Sequence, residues 1–200
     1  MHYQFVGSYT ATGSGASGTG GNYDALVAAQ KFDMGVFIIS ATDKGGALYE
    51  PSRKMYKACL PLTPISFNNL WLWTHPIPIH TLVVGAARPS DLDEHVEAAM
   101  QLENSCGLVR EIQDRLYAFV EDRSVIPFDT ADTPFMTSWY LNLPNPYEND
   151  EGIPIGYIYW LWWICKAWGM YSFALKRYSS LEDSLKVFNF FTSSILCYFN

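Results

Sequence analysis

A basic excess is the first thing this sequence lacks. Its 200 residues carry 13 Lys and Arg against 20 Asp and Glu, a formal charge of −7. The isoelectric point lies near 5.0. That balance withholds the bulk charge needed to neutralise nucleic-acid phosphates and leaves at most a local basic patch. Charge of either sign is scarce at 16%, while 49% of residues are apolar. Wholesale disorder and a coiled coil are both excluded. Seven Trp, 13 Tyr and 12 Phe point the same way, because disordered chains are poor in aromatics.

Metal-ligand spacing is missing too. Cys59, Cys106, Cys165 and Cys197 form no C-x-x-C pair, which argues against a zinc ribbon or an iron–sulfur cluster. The chain is too long and too cysteine-poor for a disulfide scaffold, so buried free thiols are expected. His2, His75, His80 and His95 are scattered, and no metal site is predicted. MHYQFVGSYTATG shows no basic stretch followed by an apolar one, so no secretory signal is read and the cytoplasm is the expected compartment. Ile153 to Leu175 is long enough to span a bilayer, but Lys166 sits near its middle. A central Lys costs about 2.5–3.5 kcal/mol on insertion scales, and the aromatics run throughout instead of forming two belts. Helical spacing aligns Tyr157, Trp160, Leu161, Ile164, Trp168, Tyr171 and Leu175 on one stripe, which predicts a core or docking helix.

The first hundred residues alternate strand and helix signals. His2 to Tyr9 reads as a strand, followed by a Gly/Ser/Thr loop and a helix from about Asn22 to Phe32. MGVFIIS (Met34 to Ser40) is a continuous apolar run, the pattern of a strand buried on both faces. Glu50-Pro51-Ser52 opens a helix through Cys59, and Thr63-Pro64 opens another that ends at His75-Pro76. TLVVGAA (Thr81 to Ala87) is a third strand. The helix after Pro89 is expected to turn Leu92, Val96, Ala99 and Met100 inward, with Ser90 and Asp93 spaced as a capping box. This order calls for parallel strands joined by right-handed crossovers. Beyond it lie a charged helix from about Leu108 to Glu121, a Pro/Asp-rich loop over 122–152, the Trp-rich helix, and a last helix from near Leu181.

Two stretches could hold an anion. Gly13-Ser14-Gly15-Ala16-Ser17-Gly18 is a literal G-x-G-x-x-G. Its strand ends several residues early and Gly20 and Gly21 still precede the helix, so a flexible βα loop is the better reading. At Gly85-Ala86-Ala87-Arg88, the backbone can approach a ligand, a helix N-terminus follows, and Arg88 suits a phosphate. Asp91, Asp93 and Glu94 crowd that helix start and oppose an anion. On chemistry alone, phosphate binding and an ordinary acidic helix start both stand. Asp43-Lys44, beside Gly45-Gly46, reads as a surface turn.

GVFIISATDKGGALYEPS, LTPISFNNLWLWTHP and IHTLVVGAARPSDLDEHVEAA together resemble the last part of an aldo/keto reductase. The resemblance covers residues 1–104. It implies an α/β fold, a partial TIM (β/α)8 barrel made of the last three βα units. Residues 105–200, with Trp139, Leu143-Pro144, Trp160-Leu161 and Lys176-Arg177-Tyr178, are similar to the helical C-terminal extension of one branch of predicted oxidoreductases. Some members of that branch carry iron–sulfur cysteines, for which this chain has no suitable spacing. The resemblance implies NADP as cofactor, held by Ser40, Gly85, Ala86, Arg88, Asp91, Glu94 and His95. Ile39 stands where many members stack an aromatic on nicotinamide, His95 where Asn is usual, and Asp91 where Arg or Gln is frequent.

The family's catalytic Asp, Tyr, Lys and His belong to its first four βα units, so no catalytic residue is assigned here. A full barrel takes about 250 residues. The expected function is therefore that of a reductase portion, inactive alone, whose complete form acts on a small carbonyl or alcohol. Self-association through open sheet edges is expected of it. The other reading is a non-catalytic nucleotide-binding or interaction protein that reuses barrel elements, and a true Rossmann dehydrogenase comes third.

Overall fold

The computed structural model describes residues 1, 5, 21–42, 47–86, 89–121 and 155–182. Among them the chain is mixed α/β and mostly helical, with one small parallel sheet. Helix α1 (Gly21–Lys31) leads into strand β1 (Phe37–Ile39). Helices α2 (Arg53–Cys59) and α3 (Pro64–Trp73) follow, then β2 (Thr81–Val83). Helices α4 (Asp93–Met100) and α5 (Cys106–Glu121) complete this part. After the undescribed stretch come α6 (Ile155–Trp168) and α7 (Tyr171–Glu182).

The starts of α2 and α3 are set by local chemistry. Ser52 Oγ accepts from Met55 N at 3.0 Å, and Thr63 Oγ1 accepts from Ser66 N at 3.1 Å, with Pro64 at the first helical position. Each cap satisfies a helical N–H that has no partner within its own helix. The capping box expected at Ser90 and Asp93 does not form. Leu92 caps α4 without a side-chain bond, because Pro89–Leu92 is already wound into a 3-10 turn.

Strands β1 and β2 pair in parallel, Phe37 opposite Thr81, Ile38 opposite Leu82, Ile39 opposite Val83. Met1 lies on the other edge of β1, donating to Phe37 O at 2.7 Å and accepting from Ile39 N at 2.8 Å. Apart from Phe5, the rest of the expected first strand lies outside the described residues. Burial of β1 on both faces does not hold. Ile38 is fully buried, but Phe37 and Ile39 are 58% and 41% exposed. Leu26 and Ala29 of α1, with Leu72 of α3, cover one face. Among the described residues nothing covers the other, where Val83 is exposed as well.

Helix α4 is also rotated relative to expectation. Leu92, Val96 and Met100 face outward, and His95 and Ala98 face in. Apolar periodicity alone chose the wrong face, since the buried face is built around a hydrogen-bonded histidine.

The larger core joins both halves of the chain. Phe5 is its hub, with Phe67 and Trp71 edge-on at 4.9 and 5.4 Å and Tyr117 and Trp168 stacked at 5.6 and 5.4 Å. Met55 of α2, Ile112 of α5, Ile164 of α6 and Phe173 of α7 belong to the same cluster. Residues on both sides of position 104 therefore share one core.

The expected continuous helix from Ile153 to Leu175 is broken. Gly169 has φ of 69° and ends α6, its N–H bonding Cys165 O at 2.9 Å. The break shifts the stripe. Leu161, Ile164 and Trp168 stay buried, while Tyr171 and Leu175 turn outward. Leu181 and Glu182, where a last helix was expected to begin, belong to α7, which starts at Tyr171; the rest of that expected helix lies outside the described residues. Among the described residues no helix is long and apolar enough to cross a membrane.

Gly169→Ala tests the break. A Cβ there would meet Ser52 at an ordinary 3.5 Å, so the cost comes from the left-handed backbone. That conformation costs an L-residue about 1–2 kcal/mol. Urea unfolding should show a loss of that size; an unchanged midpoint would contradict it.

Candidate functional site

In parallel α/β sheets, ligands gather at the carboxyl ends of the strands. Here two loops leave that end side by side. Ser40 follows β1, and Gly85 and Ala86 lie just past β2. Two adjacent asparagines of α3 fix both loops. Successive helical residues diverge by about 100°, which sends the two side chains to different partners. Asn68 Nδ2 donates to Ala41 O at 2.7 Å, and Asn68 Oδ1 accepts from Phe5 N at 3.3 Å. Asn69 Nδ2 meets His95 Nδ1 at 2.7 Å. His95 Nε2 meets the Tyr49 hydroxyl at 2.8 Å, and that hydroxyl donates to Gly85 O at 3.2 Å.

Ser40 is half-buried with φ of 57°, a left-handed backbone that is uncommon outside glycine. Such conformations cost about 1–3 kcal/mol and cluster at ligand sites and turns. Gly85 and Ala86 are exposed, and a Cβ at Gly85 would meet nothing within 4 Å. The backbone there is open to approach. Arg88 and the G-x-G-x-x-G tract lie outside the described residues, as does Asp43-Lys44.

Asp91 is half-buried in the 3-10 turn before α4. Glu94 Oε2 accepts from Thr63 Oγ1 at 3.1 Å, tying α4 to the cap of α3. His95 is buried behind the turn. Five of the six expected residues that are described separate by role. Ser40, Gly85 and Ala86 lie at the sheet edge, whereas Glu94 and His95 are spent on the α3–α4 seam.

Three residues that the sequence reading missed, Tyr49, Asn68 and Asn69, organise this edge. A signal was present for the asparagines, since two amides inside the apolar run PISFNNLWLW must find partners if buried.

Electrostatics favours neutral groups. Burial lowers the pKa of His95, and the Glu94 and Asp91 carboxylates offset this in part. Burial raises that of Tyr49, and the same two carboxylates add to it. Burial pushes the Cys59 thiol up to about 12 against the Arg115 guanidinium, and the Cys165 thiol to about 12 against Lys166. Neither is a thiolate nucleophile near neutrality. Cys106 departs from the expectation of buried thiols by being exposed, and Cys197 lies outside the described residues. No group of three His, Cys, Asp or Glu suited to a metal occurs among the described residues.

Compared with family models, curated proteins and solved structures, the chain matches none of them.

The histidines predict a pH response. Burial also lowers the pKa of His75, against a backbone hydrogen bond with Ile77. The unfolded imidazoles protonate near 6.5, before the folded ones. Their stabilisation is complete above that pH and is lost as pH falls through the lower folded values. Each contributes a slope of at most about 1.4 kcal/mol per pH unit. His95→Gln, which cannot titrate, should flatten the fall in urea midpoint between pH 7.5 and 5. An identical slope in both proteins would contradict the assignment.

Proposed function

We propose that residues 1–104 are the cofactor-holding part of an aldo/keto reductase-type oxidoreductase, a partial (β/α)8 barrel, with residues 105–200 as its helical extension. The observation that carries this reading is the pairing of a strained Ser40 with an open Gly85 at one carboxyl edge of two parallel strands. The apolar sheet face left uncovered among the described residues supports it further, because a closed barrel would bury that face.

The fit to NADP is partial. Ser40 would lie along the cofactor, and Gly85, Ala86 and Arg88 would hold its adenosine phosphate end. His95 and Glu94 stand behind the turn as its support. The Asp91 and Glu94 carboxylates weaken selectivity for a 2′-phosphate. If bound there, the cofactor would supply a hydride to a small carbonyl as NADPH, or accept one from an alcohol as NADP+. The chain's share is to position the nucleotide, and no side chain here is assigned the proton transfer.

A second reading, a non-catalytic interaction protein, draws on the exposed stripe of Leu92, Val96 and Met100 along α4. Self-association through open sheet edges belongs to the reductase-portion reading, and a cooperatively folding monomer would favour the second.

Nucleotide titration tests the proposal. The 200-residue chain should bind 2′,5′-ADP in calorimetry, and Arg88→Ala should weaken binding by about 1–3 kcal/mol, the scale of a lost charge-assisted contact. NADPH oxidation with a panel of aldehydes should show no turnover. If Arg88→Ala changes nothing while removal of Gly13–Gly21 abolishes binding, the site belongs to the glycine-rich loop instead.

A further inference from the structure

We propose that Asn69, His95 and Tyr49 form a one-way hydrogen-bond chain whose direction, set by the His95 tautomer, decides whether the Gly85 carbonyl is held. The inference stands independently of the nucleotide reading.

The direction follows from which atoms can donate. An amide nitrogen only donates, so Asn69 Nδ2, 2.7 Å from His95 Nδ1, requires a lone pair there. A neutral imidazole must then carry its proton on Nε2. That N–H donates to the Tyr49 oxygen at 2.8 Å. The single hydroxyl proton of Tyr49 is left for Gly85 O at 3.2 Å.

With the Asn69 amide in this orientation, the opposite tautomer fails at both ends. Nδ1–H would face the Asn69 amide protons, donor against donor. Nε2 would take the hydroxyl proton of Tyr49, and the Gly85 carbonyl would lose its partner. Asn69, fully buried two bonds upstream, thereby positions a turn it does not touch.

Among the described residues four groups face the imidazole: Tyr49 from the Ala47–Tyr49 turn, Asn69 from α3, Asp91 from the Pro89–Leu92 turn, and Glu94 from α4. The carboxylates attract a proton to the ring, and burial resists it. Asn69 Oδ1 is buried without a hydrogen-bond partner. Rotation of the amide would present that oxygen to an Nδ1–H, so proton uptake has a ready acceptor. In the imidazolium Nε2 still donates, and Tyr49 still holds Gly85. The clamp therefore fails only in the neutral Nδ1–H tautomer.

Nitrogen-15 NMR of histidine reads the tautomer directly, and the Gly85 carbonyl carbon-13 shift reads the clamp. Wild-type protein should show the Nε2–H form above pH 7 with a constant Gly85 shift. Tyr49→Phe should displace that shift and raise amide exchange at Gly85 and Ala86 about twofold to tenfold, the scale of one hydrogen bond. Asn69→Asp supplies an acceptor for Nδ1–H. It should raise the His95 titration midpoint and make the Gly85 shift move to the Tyr49→Phe position as pH rises. A purely structural role for Asn69 would not couple Gly85 to pH in this way.

An Nδ1–H tautomer in the wild type would overturn the proposal. So would a Gly85 shift indifferent to Tyr49→Phe, a measurement that needs no change at the buried Asn69. In folded Asn69→Asp, a Gly85 shift that ignores the His95 titration would overturn it too.

Discussion

The two amides of Asn68 and Asn69 are the constraint on which the carboxyl edge of the sheet depends. Both are buried, so each polar group they satisfy would otherwise cost about 1–3 kcal/mol. Asn68 ties the loop after β1 to the chain at Phe5. Asn69 reaches the loop after β2 through His95 and Tyr49. Strands of three residues are too short to fix their own loops. Helix α3 does so for both of them. Its position is itself set by the Thr63 cap and by the bond from Thr63 to Glu94, which register α3 against α4.

The same helix carries the second organising element. Phe67 and Trp71 of α3 lie edge-on to Phe5, while Tyr117 of α5 and Trp168 of α6 stack on it. Large aromatics contribute area and orientation together. Trp168 also donates Nε1–H to Leu116 O at 3.1 Å, so its indole is anchored at the polar end. Gly169 follows directly and turns the chain back, letting α7 close the cluster with Phe173 and Ala174. The polar edge and the aromatic core are two faces of one helix.

Much of this order was legible in the residues. Ser52, Thr63 and Pro64 marked helix starts because capping is local chemistry, decided within four residues. The apolar runs around Phe37 and Thr81 marked parallel strands. The limits were tertiary. A continuous apolar run cannot say whether one or both faces are covered, and Phe37 and Ile39 proved exposed. The Leu92, Val96 and Met100 stripe pointed inward by periodicity, but His95 had partners on α3 and on the Ala47–Tyr49 turn that no spacing rule reveals. Gly169 was visible as a glycine; its left-handed backbone was not. Of the candidate edge, Ser40 came only with the family resemblance, whereas Gly85 was readable from its place after a strand. Tyr49 was not, since it sits 46 positions from the histidine it binds.

The uncovered face of the sheet bears on which functional reading is stronger. Parallel sheets occur almost only with both faces covered, because their crossovers place helices on one side and other elements on the second. Here α1 and α3 supply one layer, and Phe37, Ile39 and Val83 stand on the other side without one among the described residues. A protein evolved to expose this face to water would carry polar residues at alternate positions of β1. Phe-Ile-Ile carries none. The strand composition is therefore that of a sheet with a second apolar layer, the layer that the proposed barrel would supply. The stripe on α4 does not carry the same weight. A helix can lie against a partner on any exposed face, whereas an apolar row on parallel strands is constrained by the sheet it belongs to.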